Sequence, residues 1–175
     1  MHDIDWIELR GKRANIKSYI RRFLLFPPFW EDSNKEINLD LRWNNKAFSD
    51  SNINEISTRN GIYCFVVEPS YSNNSIFQTR YIFYIGKASS CSLRSRFKMY
   101  LNEKQGKGIG DQKPRIKVQE MLNDYEDHIY FYYAEIENKT HIKKCEDKLL
   151  NTFVPYVNTH IPEASINPEL KDIYL

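Results

Sequence analysis

Two charged side chains, distant in the sequence, have chemistry suited to cutting a phosphodiester. Glu146 lies in the amphipathic segment THIKKCEDKLLNTFV, and its carboxylate suits a divalent metal ion, which acts as a Lewis acid and stabilises a leaving oxygen. Arg96 lies in the amphipathic segment SLRSRFKMYLNE, and its guanidinium offers phosphate oxygens a fixed fork of donors. Alone, either residue is more simply a solvated helix residue or half of an ion pair, so residue type does not establish the chemistry.

Two tyrosine-containing tripeptides lie at the ends of neighbouring predicted strands. Gly61-Ile62-Tyr63 begins the β-branched and aromatic run GIYCFVVE, and Tyr84-Ile85-Gly86 ends the run RYIFYIG. A turn-rich stretch separates the runs, which predicts an antiparallel hairpin with a long connection. In an arbitrary sequence both tyrosines would be ordinary half-buried strand residues.

The residues that follow give these tripeptides a context that resembles the GIY-YIG nuclease family. Lys87 follows the second tripeptide, as in the excision-repair nucleases of that family. Arg96 lies within the pattern Leu-x-x-Arg-Phe at 93–97, similar to the family's arginine on the next helix. Tyr100 lies one turn later, where the family has His or Tyr. The resemblance therefore implies that Arg96 stabilises transition-state charge and that Tyr100 belongs to the active site.

The second half of the resemblance lies near the end of the chain. Glu146, Pro155 and Asn158 follow one another at a spacing similar to that of the family's metal-binding glutamate and closing asparagine. The resemblance covers residues 61–158. It departs from the usual pattern by two extra residues between Gly86 and Leu93 and by a longer connection between the two strands.

The resemblance implies a role for each remaining site residue. Tyr63 would be the general base, although an unperturbed phenol has a pKa of about 10, so Lys87 would have to favour the phenolate or orient the water. Tyr84 would position the water or the phosphate, and Asn158 would buttress the site. Glu146 would hold one divalent ion, for which Mg²⁺ suits a site with one carboxylate and several waters, with Mn²⁺ as an alternative.

The implied activity is that of a metal-dependent DNA endonuclease that leaves a 5′-phosphate and a 3′-hydroxyl. A freestanding chain with an N-terminal extension is similar to the GIY-YIG restriction enzymes, which suggests double-stranded DNA as substrate and a homodimer as the assembly. The alternatives are a repair or recombination nuclease that reads DNA structure, a non-catalytic nucleic-acid-binding module, and a protein-interaction domain with a coincidental motif. Salt-dependent DNA affinity separates the last from the others.

Basic residues form two candidate phosphate-binding surfaces. One surrounds the glycine and lysine loop at 106–110, and the other is a stripe on the predicted N-terminal helix. A solvated surface is an equally good interpretation of the first and a somewhat better one of the second. The loop is not a nucleotide-binding P-loop, because neither Gly-Lys pair is followed by Ser or Thr. The candidate DNA-binding residues are Arg13, Lys17, Arg94, Lys98, Lys104, Lys107, Lys113 and Arg115.

The periodicities predict an α+β fold in which a small antiparallel sheet of about three strands is flanked by helices. The strands are predicted at 61–68, 80–86 and 128–136, with a short possible strand at 37–43. Helices are predicted at 92–103, with Ser92 as N-cap, from Pro114 onward, and from Thr140 to a stop at Pro155.

The chain divides into a nuclease core at 59–160, an N-terminal helical extension and connector at 1–58, and a tail at 161–175. The first helix is predicted from Ile16, Ile20, Phe23 and Leu24 at helical spacing, with a stop at 27–28 where two prolines occur.

Composition limits the possible settings. The 175 residues carry a net charge of only +2, so a polyanionic partner requires a local patch. The three cysteines are far apart and form no zinc motif, which predicts a reduced, cytoplasmic protein without disulfides. The N-terminus has no apolar run of a secretory signal, and no stretch approaches membrane-spanning length.

Overall fold

The computed structural model describes residues 16–17, 19–21, 23–24, 27–28, 41–69, 79–107 and 115–162. These residues form an α+β fold built on a four-stranded antiparallel sheet in the order β1-β4-β2-β3. The strands are β1 (Asn44–Ala47), β2 (Gly61–Val67), β3 (Tyr81–Ala88) and β4 (Ile129–Glu135). The helices beside the sheet are α1 (Leu93–Lys104), α2 (Ile116–Asp124) and α3 (Lys139–Phe153), with short 3₁₀ turns at Asp50–Glu55 and Glu126–His128.

β2 forms the centre of the sheet and is buried along its whole length. Its sequence, GIYCFVV, suits this position because β-branched and aromatic side chains pack well on both faces of a covered strand. β3 and β4 pair with it on either side, and the three strands predicted from the sequence are confirmed.

The fourth strand, β1, was not predicted at its observed place. Leu41–Trp43, the end of the possible strand, are irregular, and residues 37–40 lie outside the described part of the chain. The strand instead begins at Asn44 and pairs with β4. Its sequence, NNKA, is mostly exposed and has no apolar alternation, so it forms because β4 offers unpaired backbone groups. The connector therefore contributes a strand to the sheet of the core.

The two faces of the sheet carry separate hydrophobic cores, because side chains alternate along each strand. On the face covered by α1 and α2, Tyr63 and Phe65 pack with Phe97. On the opposite face, Ile62 and Cys64 pack with residues of α3. The residues that belong to α3 in this second core are Ile142, Cys145 and Leu150.

The helix boundaries follow local chemistry. Ser92 caps α1, as predicted, by accepting a hydrogen bond from the Ser95 backbone N–H at 3.1 Å. α3 ends at Phe153, where Val154 adopts a left-handed conformation with φ of 42° and Pro155 follows. None of the helices in the described ranges is long and apolar enough to cross a membrane.

The predicted first helix is not continuous. Ile16 and Lys17 are helical, but Ile20, Phe23 and Leu24 lie outside any helix. Tertiary packing explains the difference, because the Phe23 ring lies 5.3 Å from that of Tyr81 and 5.5 Å from that of Phe83. These contacts with β3 use the apolar residues whose spacing predicted the helix. Pro27 and Pro28, expected to stop it, are themselves helical.

Candidate active-site cleft

The two tripeptides lie side by side in the sheet. Tyr63 of β2 is directly opposite Gly86 of β3. A Cβ at position 86 would lie 2.5 Å from the Tyr63 hydroxyl oxygen, so only glycine fits there without displacing the tyrosine. A Cβ at Gly61 would lie 2.1 Å from the Ala134 carbonyl oxygen. Both glycines are therefore required by close packing around β2.

Three tyrosines form one cluster on the α1 face. The hydroxyl oxygens of Tyr63 and Tyr100 are 3.0 Å apart and share a hydrogen bond. The ring of Tyr84 lies 6.4 Å from that of Tyr63 and 5.8 Å from that of Tyr100. The structure therefore brings together all three tyrosines that the sequence predicted for the site.

Tyr63 is held in its neutral form. Its side chain is only 2% exposed, and burial raises its pKa well above the ordinary value, with further contributions from Tyr100 and Tyr84. The charge of Arg96 opposes this increase. Burial likewise raises the pKa of Tyr100. A phenol in this environment keeps its proton at neutral pH, which works against the expected general-base role.

Arg96 lies on α1 near this cluster and has an unsatisfied donor. Its Nη1 lies 3.9 Å from the sulfur of Met99, a weak contact. Its Nε is buried, and within the described part of the chain no group accepts a hydrogen bond from it. Buried donors without a partner are rare in proteins and call for an explanation.

Lys87 and Glu146 lie on the opposite face of the sheet. Lys87 pairs with Ile62, one residue from the Tyr63 position, so its side chain leaves β3 on the α3 side. There its ammonium forms an ion pair with the Glu146 carboxylate, which is 14% exposed. The expectation that Lys87 acts on Tyr63 is therefore wrong for this arrangement, because the two side chains are on different faces.

Asn158 braces the outer edge of β3. Its Oδ1 accepts a hydrogen bond from the Ile85 backbone N–H at 2.9 Å, and its Nδ2 donates to the Ile85 carbonyl at 2.8 Å. The Val157 N–H also donates to the Phe83 carbonyl at 3.0 Å. One side chain thus satisfies both backbone groups of the central residue of Tyr84-Ile85-Gly86.

A cleft of about 650 Å³ opens at this edge. Of the seven residues predicted for the active site, four line this cleft and three do not. The four that line it are Tyr84, Lys87, Glu146 and Asn158. Tyr63, Arg96 and Tyr100 lie behind it on the α1 face. Tyr84 is therefore the predicted tyrosine that connects the two groups.

The charge of the cleft is mixed. Arg115, Lys117 and Lys143 line it together with Lys87, and Asp147 lies beside Glu146. Lys143 forms an ion pair with Asp147 at 2.8 Å. Basic side chains outnumber acidic ones among these residues, which suits a phosphate-bearing ligand.

Sequence reasoning missed Glu103 and the position of Arg115. Glu103 is the buried acid to which Arg115 binds, and Arg115 also donates to the Tyr84 hydroxyl. The sequence signal was an acid at the end of α1 in a position facing the core. That signal was weak, because Glu103 and Arg115 are 12 positions apart in the sequence.

The predicted DNA-binding residues have different surroundings. Arg94 donates to the Ile56 and Asn54 carbonyls, both at 2.8 Å, so it fastens the connector to α1. Lys104 forms an ion pair with Glu126. The exposed members are Lys17, Lys98, Lys107 and Arg115, while Arg13 and Lys113 lie outside the described residues.

Glu146 is the residue that the sequence predicted as a metal ligand, and it lines the cleft. Among the described residues, no three His, Cys, Asp or Glu side chains are grouped closely enough to form a metal site by themselves. The Glu146 carboxylate is the kind of ligand that a hard divalent ion takes, but the Lys87 ammonium occupies it in this structure and would have to be displaced. A site of this kind would consist of Glu146, waters and ligand oxygens.

The fold and cleft define a small α+β domain with a charged cleft at the edge of an antiparallel sheet. No family model, curated protein or solved structure matches this chain. The resemblance to GIY-YIG nucleases therefore rests on the sequence motifs.

Proposed function

We propose that this protein is a metal-dependent DNA endonuclease that hydrolyses phosphodiester bonds. The observation that supports the proposal most is the cleft at the edge of β3. It combines a carboxylate, Glu146, with a phenol, Tyr84, and several basic side chains. Phosphodiester hydrolysis requires these types of group, because charge on the phosphate must be neutralised while a water is oriented.

In this proposal the basic residues of the cleft bind the DNA backbone. Lys117 and Lys143 supply point charges, and Tyr84 orients the phosphate or the water. A Mg²⁺ or Mn²⁺ ion held by Glu146 would neutralise charge on the phosphate and on the leaving oxygen. Lys87 moves from Glu146 to a phosphate oxygen when DNA enters. The Nε of Arg96, which has no hydrogen-bond partner among the described residues, supports a role as phosphate donor.

The general base is a tyrosine. The sequence resemblance assigns this role to Tyr63, and the hydrogen bond to Tyr100 orients its hydroxyl. Because burial keeps Tyr63 neutral, its activation requires solvent access that this conformation does not provide. Tyr84 already lines the cleft and is the competing candidate.

A restriction-type enzyme that cuts double-stranded DNA at specific sites, acting as a homodimer, is the proposed setting. Cutting both strands requires two active sites or one that is repositioned. A structure-specific repair or recombination nuclease would use the same cleft. Discrete fragments from a plasmid favour the first, and preference for flaps or single strands favours the second.

A non-catalytic nucleic-acid-binding module is the second candidate function. The burial of Tyr63 and the ion pair between Lys87 and Glu146 favour it, because the first keeps a candidate base out of the cleft and the second occupies the candidate metal ligand. This module would show salt-dependent DNA affinity without cleavage.

The test is incubation of the purified protein with supercoiled plasmid in Mg²⁺, in Mn²⁺ and in chelator. We expect cleavage with metal and none with chelator. Flap and single-stranded substrates are included, so that a structure-specific enzyme is also detected. A folded protein that binds DNA but cuts none of these substrates would support the binding module.

A further inference from the structure

A buried carboxylate holds one arginine of the cleft in a fixed position. Glu103, at the end of α1, is 1% exposed. Its Oε1 accepts hydrogen bonds from the Arg115 backbone N–H at 3.0 Å and from Arg115 Nε at 2.9 Å. Its Oε2 accepts one from Arg115 Nη2 at 2.7 Å. This is a two-point pairing of carboxylate and guanidinium, the geometry in which an arginine is most firmly oriented.

Two aromatic rings fix the same guanidinium from another side. Its central carbon lies 5.6 Å from the ring centre of Tyr84 and 5.2 Å from that of Tyr100. Its Nη1 donates to the Tyr84 hydroxyl at 3.2 Å. Burial disfavours the charged form, but Glu103, Tyr100 and Tyr84 together outweigh it and keep the pKa of Arg115 above its usual value. Arg115 is thus always charged, and these contacts fix the plane of its guanidinium group.

Despite these contacts, Arg115 remains accessible to a ligand. Its side chain is 42% exposed, and it lines the cleft together with Lys87 and Glu146. A guanidinium has five N–H donors, and the side-chain bonds above use three of them. One N–H on each terminal nitrogen is not used by these bonds. Arg96, in contrast, does not line the cleft.

We propose that Arg115, held by Glu103, binds the phosphodiester in the cleft and fixes the Tyr84 hydroxyl beside it. This inference rests on the proposed nuclease function and moves Arg115 from the predicted DNA-binding surface into the cleft. Glu103 acts through Arg115 and is a positioning residue. A buried ion pair by itself contributes little net stability relative to a hydrophobic pair, so helix packing does not require this one.

The test combines DNA affinity in chelator with the cleavage rate in Mg²⁺. We expect Arg115→Met to reduce the slope of log affinity against log salt by about one, because one phosphate contact is lost. Arg115→Lys keeps the charge and the slope, but cannot form the fork, so cleavage falls about 10- to 100-fold. Glu103→Gln also keeps the slope and lowers the cleavage rate.

The folding of each variant is checked in a separate control experiment. Removing one partner of a buried pair destabilises a protein, so thermal unfolding is measured for each variant. The double variant Glu103→Met with Arg115→Met removes both charges and keeps the fold testable if Glu103→Gln unfolds. Arg59→Met is the matched control, because Arg59 is 68% exposed and pairs with Glu135 away from the cleft.

The outcomes are distinct from those of the proposed function. If folded Arg115→Met keeps the wild-type slope, Arg115 does not touch a phosphate and the inference is overturned. Arg115→Lys cutting at the wild-type rate would overturn the fixed-fork role. If wild type binds DNA without cutting, the nuclease proposal fails while the slope still tests the phosphate contact. A wild type without DNA affinity overturns both.

Discussion

The candidate polar groups on one face of the sheet are buried in the core, whereas those on the other face line a cleft. On the α1 face, Tyr63 and Tyr100 lie inside an aromatic core, and their hydroxyls bind each other. On the α3 face, Lys87 and Glu146 form an ion pair in an open cleft. Tyr84 lies at the edge strand between them, in contact with both the aromatic cluster and the cleft. The comparison separates groups held by packing from groups available to a ligand.

The packing of the α1 face predicts the largest effect. Gly86→Ala should destabilise the protein by about 3 kcal/mol, because the added methyl group overlaps the Tyr63 side chain in a tightly packed site. Urea unfolding measures this change. Combining it with Tyr63→Leu should recover part of the loss, since the two positions are in contact. Additive losses in the double variant would show that the close approach is unimportant.

Cleavage rates compare a buried tyrosine with the tyrosine that lines the cleft. We expect Tyr63→Phe to reduce single-turnover cleavage about 100-fold, the lower range for a general base. Tyr84→Phe should reduce it about 10-fold, as for a residue that positions water or phosphate. Tyr130→Phe on β4 is the matched control. A larger loss in Tyr84→Phe than in Tyr63→Phe would assign the general-base role to Tyr84, the tyrosine that lines the cleft.

The hydrogen bonds from Asn158 to β3 predict a smaller loss of stability. Asn158→Ala should cost about 2 kcal/mol, because it leaves the Ile85 N–H and carbonyl without their partner. Thermal unfolding measures the loss. Asn138→Ala, which removes only the cap of α3, should cost about 1 kcal/mol and serves as the comparison. Equal losses in the two variants would show that the hydrogen bonds of Asn158 to the edge strand stabilise the protein no more than a helix cap does.

The smallest expected effect is on stability at high pH. The folded pKa of Tyr63 and Tyr100 is raised, whereas an unfolded tyrosine ionises near pH 10, at about its ordinary value. Their contribution to the free energy of unfolding is therefore fully present below about pH 10 and is lost as the pH rises above it. Unfolding measured at rising pH should show this decline, and Tyr63→Phe should reduce it. An unchanged decline in the variant would show that burial of this phenol does not control it.

The sequence predicted the features that depend on local pattern. β2 is a continuous run of β-branched and aromatic residues, α1 carries Leu93, Phe97 and Tyr100 at helical spacing, and Ser92 was recognisable as an N-cap. It did not predict β1 or the break in the N-terminal helix, because β4 and β3 determine these through long-range contacts.

The candidate site was predicted in the same partial way. The motifs identified Tyr63, Tyr84 and Glu146, and the register placed the tripeptides together. Which face each side chain occupies depends on strand alternation, so the separation of Lys87 from Tyr63 was missed. The pairing of Glu103 with Arg115 joins the end of α1 to the N-cap of α2 and leaves no periodic signal.

The most direct measurement of the central claim is the plasmid cleavage rate of Glu146→Gln in saturating Mg²⁺. The variant keeps the shape of the side chain and removes the charge that would hold the ion. Glu137→Gln, at an exposed position just after β4, is the matched control. The account predicts cleavage at least 100-fold slower in Glu146→Gln, with the control at the wild-type rate. Equal cleavage by Glu146→Gln and wild type would contradict a catalytic role for this cleft.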